Sequence, residues 1–184
     1  MKIKELLNKA KGSKVVRIID TVDENGEIIR QHIAIEDAVY PLDGMPRVNE
    51  ETVLAIMDVP VDKRNEWHVF KGINKNIEWM LEDEQSADTE AKMGKIELEC
   101  GGVKYRPFHT ARGILFVSNE QIRPIKDEKN VCYRLMENGN AQMIIAQRGM
   151  MNIGALMPLQ WADEEAADEL WKMAEAARKI AEKG

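Results

Sequence analysis

Between Lys14 and Glu36 the chain reads KVVRIIDTVDENGEIIRQHIAIE, two apolar runs about one turn signal, and no other stretch restricts the fold as strongly. Asn25-Gly26 suits the two positive φ angles of a type I′ turn, whose twist matches that of the strands it joins, so a β-hairpin is predicted. The register puts Asp23 opposite Ile28, Thr21 opposite Arg30 and Ile19 opposite His32. Val16, Ile18, Val22, Ile29, Ile33 and Ile35 then share one face, interrupted only by the facing pair Asp20 and Gln31. Arg17, Thr21, Arg30 and His32 collect on the other.

Two further turn signals repeat the pattern. In KIELECGGVKYRPF, Gly101-Gly102 sets Glu99 opposite Lys104 and Glu97 opposite Arg106, with Ile96, Leu98, Cys100, Val103 and Tyr105 on the reverse face. In VCYRLMENGNAQMIIA, a turn at Asn138-Gly139 lets Val131, Tyr133 and Leu135 share a face with Ile144 and Ala146. Its other face carries Cys132, Met136, Met143 and Ile145, so this hairpin is expected to be covered on both sides.

Helical signals lie around these ribbons. Residues 2–11 place Ile3, Leu6, Leu7 and Ala10 on one face up to Gly12; the lysines around them either solvate the helix or meet phosphate or an acidic partner. After the loop DAVYPLDGMPRV, Asn49 caps a helix that Pro60 closes. Residues 62–85 read as short helical patterns about Trp67 and Trp79, and residues 82–93 as an acidic excursion, mobile or a solvated helical turn. Ile114–Val117 is a buried strand, residues 119–130 a loop or an edge, and Asn152–Met157 one more strand. From Asp163 to about Lys183, Ala166, Ala167, Leu170, Met173, Ala174, Ala177 and Ile180 recur at helical spacing. The predicted fold is α+β: a mainly antiparallel sheet of three hairpins (about 14–36, 95–108 and 131–147), with short helices and a long C-terminal helix packed on it.

With 184 residues, 44% of them hydrophobic, one well-buried core and a single domain over residues 1–184 are expected. No apolar run approaches the length of a membrane span, and MKIKELLNKAKG lacks the apolar centre of a secretory signal, so the expectation is a cytoplasmic protein without membrane contact. Cys100 and Cys132 fall in predicted strands outside any C-x-x-C pattern, which predicts reduced core thiols rather than a disulfide or a zinc site. The net charge of −6 is unevenly spread. Residues 1–17 hold Lys2, Lys4, Lys9, Lys11, Lys14 and Arg17 against Glu5, whereas residues 78–90 hold Glu78, Glu82, Asp83, Glu84, Asp88 and Glu90 with no base. A chain of this sign has no general pull on duplex DNA, so no direct duplex binding is expected.

No familiar catalytic spacing occurs. His32, His68 and His109 stand apart at non-helical spacings, and no nucleophile elbow, phosphate loop or dinucleotide fingerprint is present, so neither a cofactor nor a metal is predicted. The most site-like cluster is KYRPFHTARG, where Arg106, His109 and Arg112 join Lys104 and Tyr105 near a strand end. Guanidinium forks, an imidazole and an aromatic suit a phosphate, a carboxylate or a single-stranded base; the alternative is ordinary surface, since Lys104 and Arg106 already face Glu99 and Glu97. Eleven methionines are many for this length. They serve either as core or as an adaptable contact surface, and Met150 and Met151, after the break at Gly149, are the pair expected to be exposed.

Three functional readings follow. The first is a non-enzymatic binding protein acting through protein–protein contacts. A small, acidic α+β chain without motifs is similar in general character to phage-encoded inhibitors of host defence nucleases, anti-CRISPR proteins among them. That likeness covers size and charge and transfers no residue; it implies a protein partner, a nuclease or nucleoprotein complex whose basic channel receives the carboxylates of residues 78–90 and of the helix from Asp163 to Glu175. The second is a ligand-binding domain or enzyme with a site at His109 and Arg112 and a sheet carboxylate such as Asp20 as acid–base partner. The third is a structural homo-oligomer joined through the C-terminal helix or a hairpin edge.

Overall fold

The computed structural model describes residues 3–73, 89–138, 141–159 and, further on, 169, 172, 173, 175, 176 and 179. Helix α1 (Ile3–Ser13) leads into strands β1 (Val15–Val22), β2 (Ile28–Ile35) and β3 (Ala38–Pro41). Helix α2 (Glu50–Ile56) and a 3-10 segment (Val61–Glu66) precede β4 (His68–Ile73), β5 (Thr89–Glu90), β6 (Lys92–Met93), β7 (Leu98–Cys100), β8 (Val103–Thr110) and β9 (Gly113–Ser118). Helix α3 (Asn119–Ile122) and a 3-10 turn (Arg123–Ile125) then lead to β10 (Val131–Asn138), β11 (Ala141–Arg148) and β12 (Met151–Leu156).

The described strands form two sheets, not one sheet of three hairpins. Eight lie in one mixed sheet in the order β4-β1-β2-β3-β12-β11-β10-β5; the other sheet has four, β6-β8-β7 with β9 on β8. The expected single sheet of three hairpins is thereby corrected: the second ribbon lies in the smaller sheet, and the first and third are joined in the large one through β3, which pairs with both β2 and β12. The outermost strand, β4, runs parallel to β1. The expected long C-terminal helix is not among the described elements, and its span from Asp163 lies for the most part outside the described residues. The longest described helix is α1, at 11 residues.

Two strands were hidden by their neighbours. Pro41, Gly44 and Pro46 mark a loop, yet AVYP pairs as β3 because Pro41 stands at its last position. HVFKGI sits between tryptophan-bearing segments that mimic helical spacing, but its own alternation builds β4. The acidic residues 74–88 lie outside the described residues, and with them most of the expected excursion.

The first hairpin reaches the predicted pairing by another route. Gly26 is left-handed at φ 82° and donates to the Asp23 carbonyl, while the Asp23 N–H bonds to the Glu27 carbonyl at 2.9 Å, so the loop has three residues rather than two. The Asp23 carboxylate also accepts from the N–H groups of Asn25 and Glu27, each at 2.9 Å. That one-residue slip is cancelled by a bulge beside Val22, after which Thr21 faces Arg30 and Ile19 faces His32. Ile29, the extra residue, is expelled to 66% exposure instead of lining the apolar face.

The Gly101-Gly102 turn has φ of 59° and 77° and pairs Glu99 with Lys104 as predicted. In the third hairpin Asn138 faces Ala141, two positions from the predicted register. A shift of two preserves the faces, so Leu135 meets Ile144 and Tyr133 meets Ala146.

The core lies on the inner face of the large sheet. Val16, Ile18, Ile33, Ile35, Leu135 and Ile144 are covered there by Leu6 and Ala10 of α1, Val53 and Leu54 of α2, Ile122 and Ile125, and Phe108 and Val117 of the second sheet. Burying each of these larger aliphatic side chains stabilises the fold by roughly 1.5–3 kcal/mol. Phe108 meets Tyr133 edge-to-face at 5.0 Å. The Tyr40 hydroxyl donates to the Gln121 carbonyl at 2.5 Å, and burial pushes its phenol pKa far up. Asn49 caps α2 through a capping box with Thr52. On the opposite face Met136, Met143, Ile145 and Ala155 form a second buried cluster, so the third ribbon is covered on both sides as expected. Cys100 and Cys132, expected in the core, are both exposed.

Candidate functional site

Among the described residues, a concavity lies between the end of β11, the start of β12 and the loop after β3. Gly149, left-handed at φ 62°, opens a two-residue turn that brings Met151 opposite Arg148. The cavity holds about 210 Å³. Its apolar wall is Pro41, Met45, Met151 and Ile153, and its polar wall is Asp43, Glu128 and Arg148.

Each charged group in that wall already has an opposite charge within reach. Arg30 grips Asp43 with both arms of its guanidinium, at 2.9 and 2.5 Å, and reaches the Asn152 carbonyl at 3.5 Å. Arg148 pairs with Glu128 at 2.6 Å. Behind them the buried Gln147 donates to Asn152 at 2.7 Å and accepts from Arg134 at 3.2 Å. Such part-exposed ion pairs contribute about 0–1 kcal/mol each; their effect here is to satisfy the charges and leave methionine and isoleucine as the contact surface. Met150 projects from the turn at 86% exposure and Met151 at 45%, as the break at Gly149 predicted.

The KYRPFHTARG residues do not converge. Arg106 turns to Glu97 at 2.6 Å and to the carbonyls of Gly94 and Lys95, and hydrogen bonds from Asn119 and Arg106 hold the Glu97 carboxyl below its usual range. His109 lies on β8 between Lys92 and Ile114, and alternation along the strand puts it on the face opposite Arg106. Arg112, in the following turn, reaches Glu137 of β10 at 3.4 Å. Asp20 is engaged on the inner face of the large sheet, where Gln31 donates to it at 2.7 Å and Lys71 pairs with it at 3.1 Å. Gln31 in turn brackets the backbone of Val48, so these side chains form a clamp from β4 to the loop before α2.

Of the acidic set, Glu90 is exposed on β5 opposite Arg134. Glu78, Glu82, Asp83, Glu84 and Asp88 lie outside the described residues. Among the described residues no three of His, Cys, Asp and Glu gather to hold a metal ion, and no helix is long and apolar enough to cross a membrane. Sequence reasoning missed Asp43, Met45, Glu128, Arg148 and Ile153; only the turn residues at Gly44 and Gly149 hinted at two loops that could meet.

His32 is the one buried imidazole among the described residues. At 1% exposure neither ring nitrogen makes a hydrogen bond of ordinary geometry. Burial first and the Arg30 charge second lower its pKa to about 4, offset in part by Asp43, the Ile19 backbone and Asp20.

No protein-family model, curated protein or solved structure matches this chain.

Proposed function

We propose that this chain is a non-enzymatic binding protein whose contact surface is the methionine-rimmed cavity, and that it receives one apolar side chain of a protein partner. The observation that carries the reading is Met151, 45% exposed in the wall of a cavity whose charges are internally matched, with Met150 projecting from the tight turn beside it. Large apolar groups on a rigid turn are anchors for association, and flexible thioethers adapt to the partner's shape. A space of about 210 Å³ lies below the roughly 300–1,000 Å³ usual for small-molecule sites and suits a single side chain. The matched ion pairs at its edge supply the polar rim that an interface of this kind needs.

Selection of a displayed peptide library on the full chain tests this. Enriched peptides should share one large apolar residue, and Met150→Asp or Met151→Asp should weaken their binding by about tenfold or more, near 1.4 kcal/mol. Peptides that bind both variants as tightly as the parent would defeat the proposal.

A further inference from the structure

We infer that β4 is a self-pairing edge, through which two copies of this chain join about a twofold axis as antiparallel β4 strands. The inference stands apart from the methionine-rimmed cavity. β4 ends the large sheet, and among the described residues no strand lies beyond it. Its register with β1 runs unbroken from His68 to Ile73, without a bulge, and it contains no proline. Such an unbroken, six-residue edge is what folded proteins usually blunt.

The direction of its peptide groups follows from one hydrogen bond. The His68 N–H donates to the Lys14 carbonyl at 2.9 Å, so His68, Phe70 and Gly72 turn their backbone groups toward β1. Val69, Lys71 and Ile73 turn theirs outward. A twofold axis at Lys71 pairs these three residues with Ile73, Lys71 and Val69 of the second copy, and every outward N–H and C=O finds a partner.

The side chains agree with that register on both faces. On one, Val69 meets Ile73 of the second copy, and Ile73 is otherwise 65% exposed. On the other, Phe70, 55% exposed, meets Gly72 of the second copy. A Cβ placed on Gly72 would find nothing within 4 Å, so the ring has open backbone to cover, an arrangement that offsets the weakness of glycine in a strand. The two Lys71 residues lie opposite each other, but each is matched by its own Asp20 at 3.1 Å. A parallel pairing would set outward-turned residues of one copy opposite inward-turned residues of the other, a stagger that no twofold axis produces, and so lacks the closure that favours dimers over open chains.

Sedimentation of the full chain tests the inference. The apparent mass should rise from 21.0 kDa toward twice that value as concentration increases from about 1 to about 200 µM, the weak range suited to so small an interface. Phe70→Glu should raise the dissociation constant at least tenfold, and Ile73→Asp gives a second exposed position should the first variant fold poorly. Hydrogen exchange reads the register: the amides of Val69, Lys71 and Ile73 should slow with concentration. A monomer at every concentration, a dimer in which those three amides ignore concentration, or dimerisation undiminished in the folded variants would overturn it.

Discussion

The two ends of the eight-stranded sheet are finished in opposite ways. At one end β5 has two residues, Thr89 and Glu90, the second an exposed acid facing Arg134. At the other, β4 offers six residues with Phe70 and Ile73 exposed, and its single lysine is drawn back to Asp20. Brevity and charge close the first edge, whereas the second stays available for pairing. The polar interiors differ as well. Beside β10, Gln147 is bonded to both Asn152 and Arg134, while on β2 the ring of His32 is buried without such partners. The β4 end is therefore where acid and mutation should act first.

The largest effect is expected from acid on His32. Its folded pKa of about 4 lies below the ordinary 6.5, so the unfolded chain takes up the proton first. Stability from this group is full above pH 6.5 and is lost as pH falls toward 4, about 3 kcal/mol in all. Urea unfolding from pH 7.5 to 4 should show that slope, and His32→Leu should flatten it. An unchanged slope in the variant would place the acid sensitivity elsewhere. Next comes Asp20→Ala, which removes the anchor of Lys71 and Gln31 and should lower stability by about 2 kcal/mol. Amide exchange should then quicken in β4 and β1 before β10 and β11; uniform quickening would mean the clamp does not distinguish the two ends. Smallest is Glu90→Lys on the short edge, within about 0.5 kcal/mol by thermal unfolding. A larger loss would show that β5 matters to the sheet beyond its length.

What the residues disclosed in advance was mostly local. Opposed charges at Glu99 and Lys104 with a Gly-Gly turn fix the pairing of β7 and β8, and Asn49 fixes the start of α2. The faces of the third ribbon survived a register error because the error was even. Non-local pairing was not legible. β4 finds β1 across more than fifty residues of chain, and nothing within HVFKGI names its parallel neighbour. The cavity is similar: Arg30 and Asp43 are 13 residues apart, Arg148 and Glu128 are 20 apart, and only the tertiary fold brings the two pairs to one place. Met150 and Met151 were readable because a glycine break ahead of them announces a surface turn. Cys132 was misread because its strand carries apolar residues on both faces, yet at the second position of β10 it is exposed.

The bulge at Ile29 separates the hairpin stem from its tip. Slippage by one at the hairpin tip would ordinarily turn one strand over against the other, sending its isoleucines to water and its arginines inward. Because the surplus residue is looped out just below the tip, the long stem is insulated from the length of its own connection. A residue added or removed near Asn25 should therefore leave Ile18 and Ile33 in their places, which makes that tip a point suited to insertions and tags.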